Sequence, residues 1–321
     1  MILVVTINPL LEHRLTYSEI KPGQTHRNPA EVYLAGGKGI NVSRQLNHLG
    51  IKNMSVTFLG GRNGKHLDEL LHNEKINFIH TRISDNTRTS VVVTDLQKQS
   101  VTSYFGNNNS ITDSEADEFI QKLEKAIVNC EMVVFSGSSP CREADKIFPA
   151  GIEAANKSDK ISVLDTYGDH LEHCINCSPT IIHNNADEIK SSLNEDIDSE
   201  EAKIHFLDRL YSKGIKQAFI TDGAKNTYAS NFEFHYKVEN PTLVSVDSTG
   251  SGDAFVAGII YGWHYSNTFV ETLLFASALG ALNSTRFDVC NLKKEEAEVI
   301  INKFQLSPVG KKIKIIDDTP R

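Results

Sequence analysis

The 321-residue sequence lacks several features that would place it outside the ordinary globular proteins. No apolar run approaches the roughly 20 residues of a membrane-spanning helix. The formal net charge of −8 is spread along the chain, without the basic stripe that nucleic-acid binding requires. Internal repeats and low-complexity segments are missing as well. We therefore expect neither a membrane nor a nucleic-acid partner, and the length suits one large α/β domain with a sizeable core.

Cysteine is also scarce. Five cysteines in a chain of this length indicate a reducing compartment and no disulfide framework. Residues 1–6, MILVVT, form a short apolar run without a basic leader or a cleavage site. This pattern predicts a buried first strand and not a targeting segment. A cytoplasmic protein is the expectation.

One group of residues has the composition of a metal site. His170, His173, Cys174 and Cys177 fall at i, i+3, i+4 and i+7, on one face of a helix. Four ligands on one short helix rarely converge tetrahedrally, and structural zinc sites usually draw on two separated pairs. We interpret these residues as a half-buried helix face.

The most informative stretch is 246–255, VDSTGSGDAF. It predicts an apolar strand end at Val246, a glycine turn, and a helix with Asp253 at its start. Gly250 and Gly252 permit a sharp turn and close approach to a ligand, and the backbone N–H groups there face an anion at the positive end of the helix. Asp253 beside such an anion suits a base for an attacking hydroxyl. A plain left-handed turn with an N-cap aspartate is the alternative.

A second glycine cluster lies at 36–44, GGKGINVSR, with a helix expected from Asn41 to about Leu49. Together, GGKGINVSR and DSTGSGDAF resemble the two signatures of the ribokinase-like (PfkB) carbohydrate kinases. The likeness is closest to the branch holding 1-phosphofructokinase, 6-phosphofructokinase-2 and tagatose-6-phosphate kinase. The likeness covers nearly the whole chain. The two signatures together are specific for the family, whereas either signature alone would be a weak indication.

The resemblance implies a three-layer α/β/α ribokinase-like fold with a mainly parallel central sheet and a small β-sheet lid. Apolar strands alternating with helices after residue 132 independently favour a parallel sheet covered on both faces. We expect one kinase domain over residues 1–321, with lid strands inserted from about 12–35 and 88–106. Further helices are expected from Gly64 and over residues 276–283, and the charged tail from Lys311 is expected to be peripheral. Open lid edges invite pairing, so a homodimer through the lids is predicted, as is common in this family.

The family's motifs also imply which residues hold the acceptor sugar and its phosphate. Arg88 occupies a phosphate-binding position, where a guanidinium fork suits phosphate; a structural salt bridge is the alternative. For Arg27 the alternative is a solvated strand arginine. The implied acceptor residues are Glu12, Arg27, Gly37, Lys38, Asn41, Arg88 and Ser138.

Three departures from the family pattern fall at this acceptor end. Glu12 replaces the aspartate of N-P-A-x-D, Ser90 replaces the asparagine of T-R-x-N, and a polar turn at 106–109, GNNN, replaces P-G-P. These changes affect the expected identity of the substrate more than the expected activity.

The nucleotide end also resembles the family pattern, with departures at His183 and Asn184 that weaken or remove one expected phosphate contact. Residues 183–188, HNNADE, correspond to K-P-N-x-x-E, with His183 in place of lysine. The implied nucleotide residues are His183, Asn185, Thr221, Gly223, Ser248, Gly250, Gly252 and Asn283. Glu188 would orient Mg²⁺ through water. Asp253 would be the base, and the amides of Gly250, Ser251 and Gly252 would form the anion hole.

The resemblance thus implies ATP-dependent phosphorylation of a ketohexose phosphate, either fructose 1-phosphate, fructose 6-phosphate or tagatose 6-phosphate, to the bisphosphate. A kinase of another sugar or polyol is an alternative, and so is a sugar-phosphate-binding regulator with little turnover, which His183 favours. An NAD-dependent oxidoreductase is disfavoured because the first strand ends in Asn8-Pro9 and not in G-x-G-x-x-G.

Overall fold

The structure, a computed structural model, describes residues 1–310; the tail from Lys311, expected to be peripheral, lies outside the described residues. The strands are β1 (Ile2–Thr6), β2 (Leu10–Tyr17), β3 (Ala30–Gly36), β4 (Asn53–Gly60), β5 (Phe78–Ile83), β6 (Thr89–Asp95), β7 (Ser100–Phe105), β8 (Met132–Ser136), β9 (Ile161–Asp165), β10 (Ile181–Asn185), β11 (Gln217–Thr221), β12 (Thr227–Asn231), β13 (Phe234–Glu239) and β14 (Gln305–Val309). The α-helices are α1 (Lys38–His48), α2 (Gly61–Asn73), α3 (Asp113–Ile127), α4 (Ile147–Lys157), α5 (Leu171–Asn176), α6 (Ala186–Leu193), α7 (Glu200–Ser212), α8 (Ser251–His264), α9 (Phe269–Asn283) and α10 (Lys294–Ile300). Short 3₁₀ turns span Arg142–Ala144 and Ile301–Lys303.

The central sheet has ten strands in the order β14-β13-β12-β11-β10-β9-β8-β1-β4-β5. All pairs from β11 to β5 are parallel, and β12, β13 and β14 add antiparallel strands at one edge. Successive residues of β1 enter different core clusters, Leu3 on one face and Val4 on the other, because side chains alternate along a strand. Helices cover both faces, which is why the central strands are apolar throughout. The predicted α/β/α architecture is confirmed.

A separate four-stranded sheet has the order β3-β2-β6-β7, with β2 and β6 parallel and the other pairs antiparallel. On one face Glu12 and Ser90 lie opposite each other and are buried. Tyr33, Tyr104 and Phe105 of β3 and β7 are exposed. The small sheet therefore has a polar buried face and aromatic groups open to solvent.

The parallel strands position the site because their carboxyl ends meet at one edge of the sheet. Asn8 follows β1, Ser138 follows β8, and Asp165 and Asn185 end β9 and β10. The first turn of α8, which holds Asp253, is the remaining side of the site.

Four sequence-based assignments were wrong. Helix α1 begins at Lys38 and not at Asn41, because Gly37 with φ 123° serves as its N-cap. Helix α2 begins at Gly61 and not at Gly64, and residues 276–283 are only the second half of α9. Val246 does not end a strand: its amide donates to the Ser284 carbonyl at 2.7 Å, so this segment pairs with the end of α9 and not with a sheet.

The His170–Cys177 group does not form a metal centre. Helix α5 is six residues long and includes His173 and Cys174 but not His170 or Cys177. His170 and Cys174 are buried, whereas His173 is exposed. His170 Nε2 lies 2.8 Å from the Thr166 hydroxyl. Within residues 1–310, no group of three or more His, Cys, Asp or Glu side chains could hold a metal ion. None of the helices in that range is long and apolar enough to cross a membrane.

Candidate active site

The glycine turn before α8 forms one wall of the site. Gly250 is the N-cap of the helix and has φ 78°, a left-handed conformation that favours glycine. A Cβ at this position would overlap the Val289 side chain, so a larger residue does not fit. Asp253 lies in the first turn of the helix and is 3% exposed. The turn thus places a buried carboxyl beside the positive end of a helix.

The three amides of this turn differ in their availability. The Ser251 amide donates to the Ser248 carbonyl at 3.1 Å. For the amides of Gly250 and Gly252, no hydrogen bond is found within the described chain. Gly250 and Gly252 are therefore the more open donors toward an anion.

Asn283 holds the turn from behind. Its side chain is fully buried; Nδ2 donates to the Thr249 carbonyl at 2.7 Å, and Oδ1 accepts from the Cys290 amide at 2.7 Å. Asn283 was predicted to contact the nucleotide, but its amide is engaged by backbone groups. In this position Asn283 fixes the conformation of the turn.

Asn41 orients the Asp253 carboxyl. Its Nδ2 donates to Asp253 Oδ2 at 2.8 Å, and its Oδ1 accepts from Arg44 Nη1 at 2.7 Å, which fixes the orientation of the amide. Burial raises the pKa of Asp253 to about 7, against the opposing effect of the Lys38 ammonium and with help from the charge of Asp165. This carboxyl therefore changes its protonation state near neutral pH.

With Asp253 as the predicted base, turnover should fall as the pH drops below about 7, because a base must be ionised to accept a proton. One pH unit below that pKa, kcat should be about tenfold below its plateau. The pKa of Asp253 is raised, so its contribution to stability is present at low pH and is lost as the pH rises through about 7. The fall in turnover at low pH is therefore not caused by unfolding that depends on Asp253. The measurement is kcat against pH from 5 to 9; a flat profile down to pH 5 would contradict the assignment.

Lys38 joins two carboxylates across the site. Its Nζ lies 2.6 Å from Glu188 Oε1 and 3.2 Å from Asp165 Oδ1. Burial lowers the pKa of Lys38, but these two carboxylates outweigh that effect and raise it well above its ordinary value. Burial likewise raises the pKa of Asp165, yet the Lys38 ammonium and a hydrogen bond from His183 hold it well below its usual range. Lys38 and Asp165 are both charged at neutral pH.

His183 lies beneath the glycine turn at residues 247–252, which we call the anion turn. Its Nδ1 is 3.0 Å from Asp165 Oδ1 and its Nε2 is 3.1 Å from the Thr221 hydroxyl. A Cβ on Gly252 would stand 3.3 Å from His183 Cε1, so the ring supports the turn directly. The imidazole is 1% exposed and both of its nitrogens have partners. It supports the turn from below.

Arg88 and two neighbouring loops meet at the predicted acceptor end of the site. Arg88 Nη2 donates to the Asn8 carbonyl at 3.1 Å, and Nη1 donates to Asn108 Oδ1 at 2.9 Å. Asn8 Nδ2 lies 3.1 Å from both Asn108 Oδ1 and Ser138 Oγ. Sequence reasoning missed Asn108; its only signal was the polar turn in place of P-G-P. The arrangement brings Arg88 and Ser138 together through Asn8 and Asn108.

The other predicted acceptor residues are more dispersed. Glu12 is buried and accepts from Arg14 Nε at 2.6 Å, a partner that sequence reasoning also missed. Gly37 caps α1 beside Lys38. Arg27 lies in the exposed segment between β2 and β3, and it makes no hydrogen bond to this cluster within residues 1–310.

A cavity of about 350 Å³ adjoins the anion turn. Its wall includes six residues predicted to be at the nucleotide or catalytic end: Asn185, Thr221, Gly223, Ser248, Ser251 and Gly252. Small residues of α9, Ser277, Gly280 and Ala281, complete it. At the N-terminus of α6, Asn185 Oδ1 accepts from the Glu188 amide at 2.8 Å, while Glu188 Oε2 accepts from the Asn185 amide at 3.1 Å.

The buried Asp253 carboxyl at the glycine turn is thus hydrogen-bonded to Asn41 and lies near the charge of Lys38, and a cavity adjoins the same turn. The chain belongs to the pfkB family of carbohydrate kinases, whose family model matches residues 3–296. It is therefore an enzyme that transfers a phosphoryl group to an alcohol.

Individual relatives agree with this assignment. A tagatose-6-phosphate kinase from Staphylococcus epidermidis is 27% identical over 313 residues, which cover 96% of this chain and 100% of the relative. Two crystal structures are each 21% identical and share the fold. One, described as a possible 1-phosphofructokinase from Thermotoga maritima, has a TM-score of 0.89 over 97% of this chain and 100% of its own. The other, phosphofructokinase-2 from Escherichia coli with substrates and products, has a TM-score of 0.83 over 94% and 98%.

Proposed function

We propose that the protein transfers the γ-phosphoryl group of ATP to a ketohexose phosphate: fructose 1-phosphate, fructose 6-phosphate or tagatose 6-phosphate. The observation that carries the proposal is the buried Asp253 carboxyl at the anion turn, which accepts a hydrogen bond from Asn41 and lies near the charge of Lys38. Predicted nucleotide residues line the cavity that adjoins the same turn, while Asn41 and Lys38 are predicted acceptor residues. The relative named tagatose-6-phosphate kinase supports a phosphorylated acceptor.

In this mechanism Asp253 accepts the proton of the acceptor hydroxyl as its oxygen attacks the γ-phosphorus and the bond to the ADP oxygen breaks. A pKa near 7 suits this role, because the carboxyl is ionised at neutral pH yet still basic. The amides of Gly250 and Gly252, with that of Ser251, stabilise the charge on the transferring group. Phosphoryl transfer depends mostly on positioning and electrostatic stabilisation, so this set of groups is sufficient.

Magnesium would accompany the nucleotide. Mg²⁺ is usually held by one or two carboxylates together with substrate phosphates and waters. Glu188 supplies the right chemistry, but its two oxygens already accept from Lys38 and from the Asn185 amide. A contact through water, with the phosphates as the main ligands, therefore fits better than direct coordination. The ion would neutralise phosphate charge, and Glu188 would orient it.

At the acceptor end, Glu12, Gly37, Lys38 and Asn41 would bind the sugar hydroxyls. Arg88, Ser138 and Lys38, with Arg27, would bind its phosphate. Charge-assisted hydrogen bonds from a guanidinium to phosphate are about twice as strong as neutral ones, so Arg88 carries most of this discrimination.

Replacing Arg88 with methionine should raise KM for the phosphorylated acceptor by about 10- to 100-fold, equivalent to the loss of one charged hydrogen bond. The KM for ATP should stay within about threefold, because Arg88 does not line the cavity that holds the predicted nucleotide residues. Steady-state kinetics with each substrate varied in turn measures both values. Arg62→Met, an exposed arginine on α2, is the control. An unchanged acceptor KM would show that Arg88 has only a structural role.

The experiment that tests the function is coupled ATP turnover over a panel of acceptors: the three ketohexose phosphates, fructose, ribose and inositol. Turnover confined to one phosphorylated ketohexose supports the proposal. Turnover with an unphosphorylated sugar or polyol instead favours a kinase of another acceptor, consistent with Glu12, Ser90 and the 106–109 turn. No turnover with ATP still bound favours the regulator.

The proposal also covers the domain organisation, the oligomeric state and the cellular location of the protein. We propose one kinase domain over residues 1–321, with the small sheet as a lid. Its exposed side chains Val32, Tyr33, Tyr104 and Phe105 would join two copies in a homodimer. All five cysteines are free, which supports a cytoplasmic location.

A further inference from the structure

Arg14 connects the small sheet to two loop segments, one before α8 and one after α9. It lies on β2, is 7% exposed, and its Nε donates to Glu12 Oε1 at 2.6 Å. Its Nη1 donates to the Phe287 carbonyl at 2.7 Å and lies 3.6 Å from Asp247 Oδ2. One guanidinium therefore holds a residue of the acceptor end and two residues near the anion turn.

Both of those segments shape the anion turn. Asp247 Oδ1 accepts from the Thr249 amide at 2.9 Å, immediately before Gly250. Phe287 is two residues from Val289, whose side chain packs where a Cβ of Gly250 would lie. A shift of the guanidinium would therefore displace Gly250 in two ways, through the Asp247–Thr249 contact and through the packing of Val289. The same shift would move the Glu12 carboxylate.

The charges make Arg14 hard to replace. The side chains of Arg14, Glu12 and Asp247 are 8%, 12% and 5% exposed, so two carboxylates share one cation away from water. Removing the guanidinium leaves two buried carboxylates without compensation, which is costly. Lysine keeps the charge, but as a point charge it cannot reproduce contacts made in several directions by a planar fork.

We propose that Arg14 is a positioning residue that sets the distance between the acceptor sugar and the anion turn. Through Glu12 it fixes the sugar, and through Asp247 and Phe287 it fixes the amides that face the transferring phosphoryl group. The inference rests on the proposed function for its kinetic consequence. Its structural consequence, the ordering of the turn at 247–252, is independent of turnover.

The kinetic test compares Arg14→Met and Arg14→Lys with the wild type, using ATP and the acceptor found by the panel. Arg14→Met should lower kcat at saturating substrates by about 10- to 100-fold, because misplacement near 1 Å at a reacting centre costs about that much. The KM for ATP should change less than about threefold, and Arg14→Lys should recover only part of kcat. Arg209→Met is the matched control and should keep wild-type kcat. Arg209 lies on α7 and pairs with Glu195.

A double variant separates charge from packing. Asp247→Asn keeps an oxygen for the Thr249 amide but removes the charge that Arg14 compensates. Arg14→Met with Asp247→Asn should therefore regain part of the kcat that Arg14→Met alone loses. If folded Arg14→Met keeps kcat within twofold of the wild type and loses only thermal stability, the role is structural and the inference is overturned.

A second readout needs no turnover. Hydrogen–deuterium exchange at the amides of residues 247–252 should be faster in Arg14→Met than in the wild type and Arg209→Met, with exchange in α6 unchanged. If the wild type turns over no acceptor, the proposed function fails while this readout still decides the inference. Unchanged exchange at 247–252 would overturn the positioning role even in an active enzyme.

Discussion

Replacing Asp253 with asparagine should lower kcat by about 10²- to 10⁴-fold, the usual contribution of a positioned general base. Asparagine has nearly the same size, so the turn before α8 should keep its shape. The change removes only the capacity to accept the hydroxyl proton. Binding of ATP should be retained, because the substitution leaves the cavity residues Asn185, Thr221 and Gly223 unchanged.

The measurement is single-turnover phosphoryl transfer at saturating ATP and acceptor, which excludes product release from the observed rate. Asp68→Asn is the control, since Asp68 is a surface carboxylate that pairs with His72. A rate for Asp253→Asn within a factor of five of the wild type would show that another group accepts the proton. The pH profile of the wild type would then need a different origin.

Replacing Lys38 with methionine should lower the free energy of unfolding by about 3 kcal/mol, because a buried carboxylate loses its compensating cation. Asp165 is fully buried and Glu188 nearly so, and Lys38 lies between them. The change should also raise the pKa of Asp253 further, since the Lys38 ammonium now lowers it. Activity at pH 7 should therefore fall beyond any loss of acceptor binding.

Urea unfolding at pH 7.5, followed by the fluorescence of Trp263, the one tryptophan of the chain, measures the stability effect. Lys146→Met is a closely matched control, because Lys146 also lies between two carboxylates, Asp113 and Asp117, but at the surface. Its loss should cost about 1 kcal/mol or less. Equal losses in the two variants would contradict the account of a buried charge cluster at Lys38.

The sequence predicted those features of the site that are encoded locally. Gly250 and Asp253 are three positions apart, and a glycine turn opening a helix requires no distant partner to be recognised. The parallel sheet was predictable for a similar reason, since strands buried on both faces are apolar throughout. These features depend on short stretches of chain, and periodicity and spacing report on them.

The partners that tune the site could not be predicted in this way. Lys38 and Glu188 are 150 positions apart, and Arg14 and Phe287 are 273 apart. Their contacts depend on the order of strands in the sheet and on how the small sheet docks. Arg14 has no unusual sequence context, because a charged residue in a strand is usually solvated. Only the fold shows that it is buried.

Two errors arise from contacts between segments that are separated in sequence. Val246 was assigned to a strand end because it is apolar, but its amide bonds to the end of α9. The 106–109 turn was seen only as a loss of P-G-P, although Asn108 gains contacts with Arg88 and Asn8. In both cases the deciding interaction involves a segment far away in sequence.

The most direct test of the central claim is ³¹P NMR of the purified protein with Mg-ATP and each ketohexose phosphate, recorded for the wild type and for Asp253→Asn. The account predicts that one acceptor gives ADP and a bisphosphate in equal amounts, and that the variant forms both at least about 100-fold more slowly. Release of ADP and free phosphate without a bisphosphate, or equal rates in wild type and variant, would contradict it.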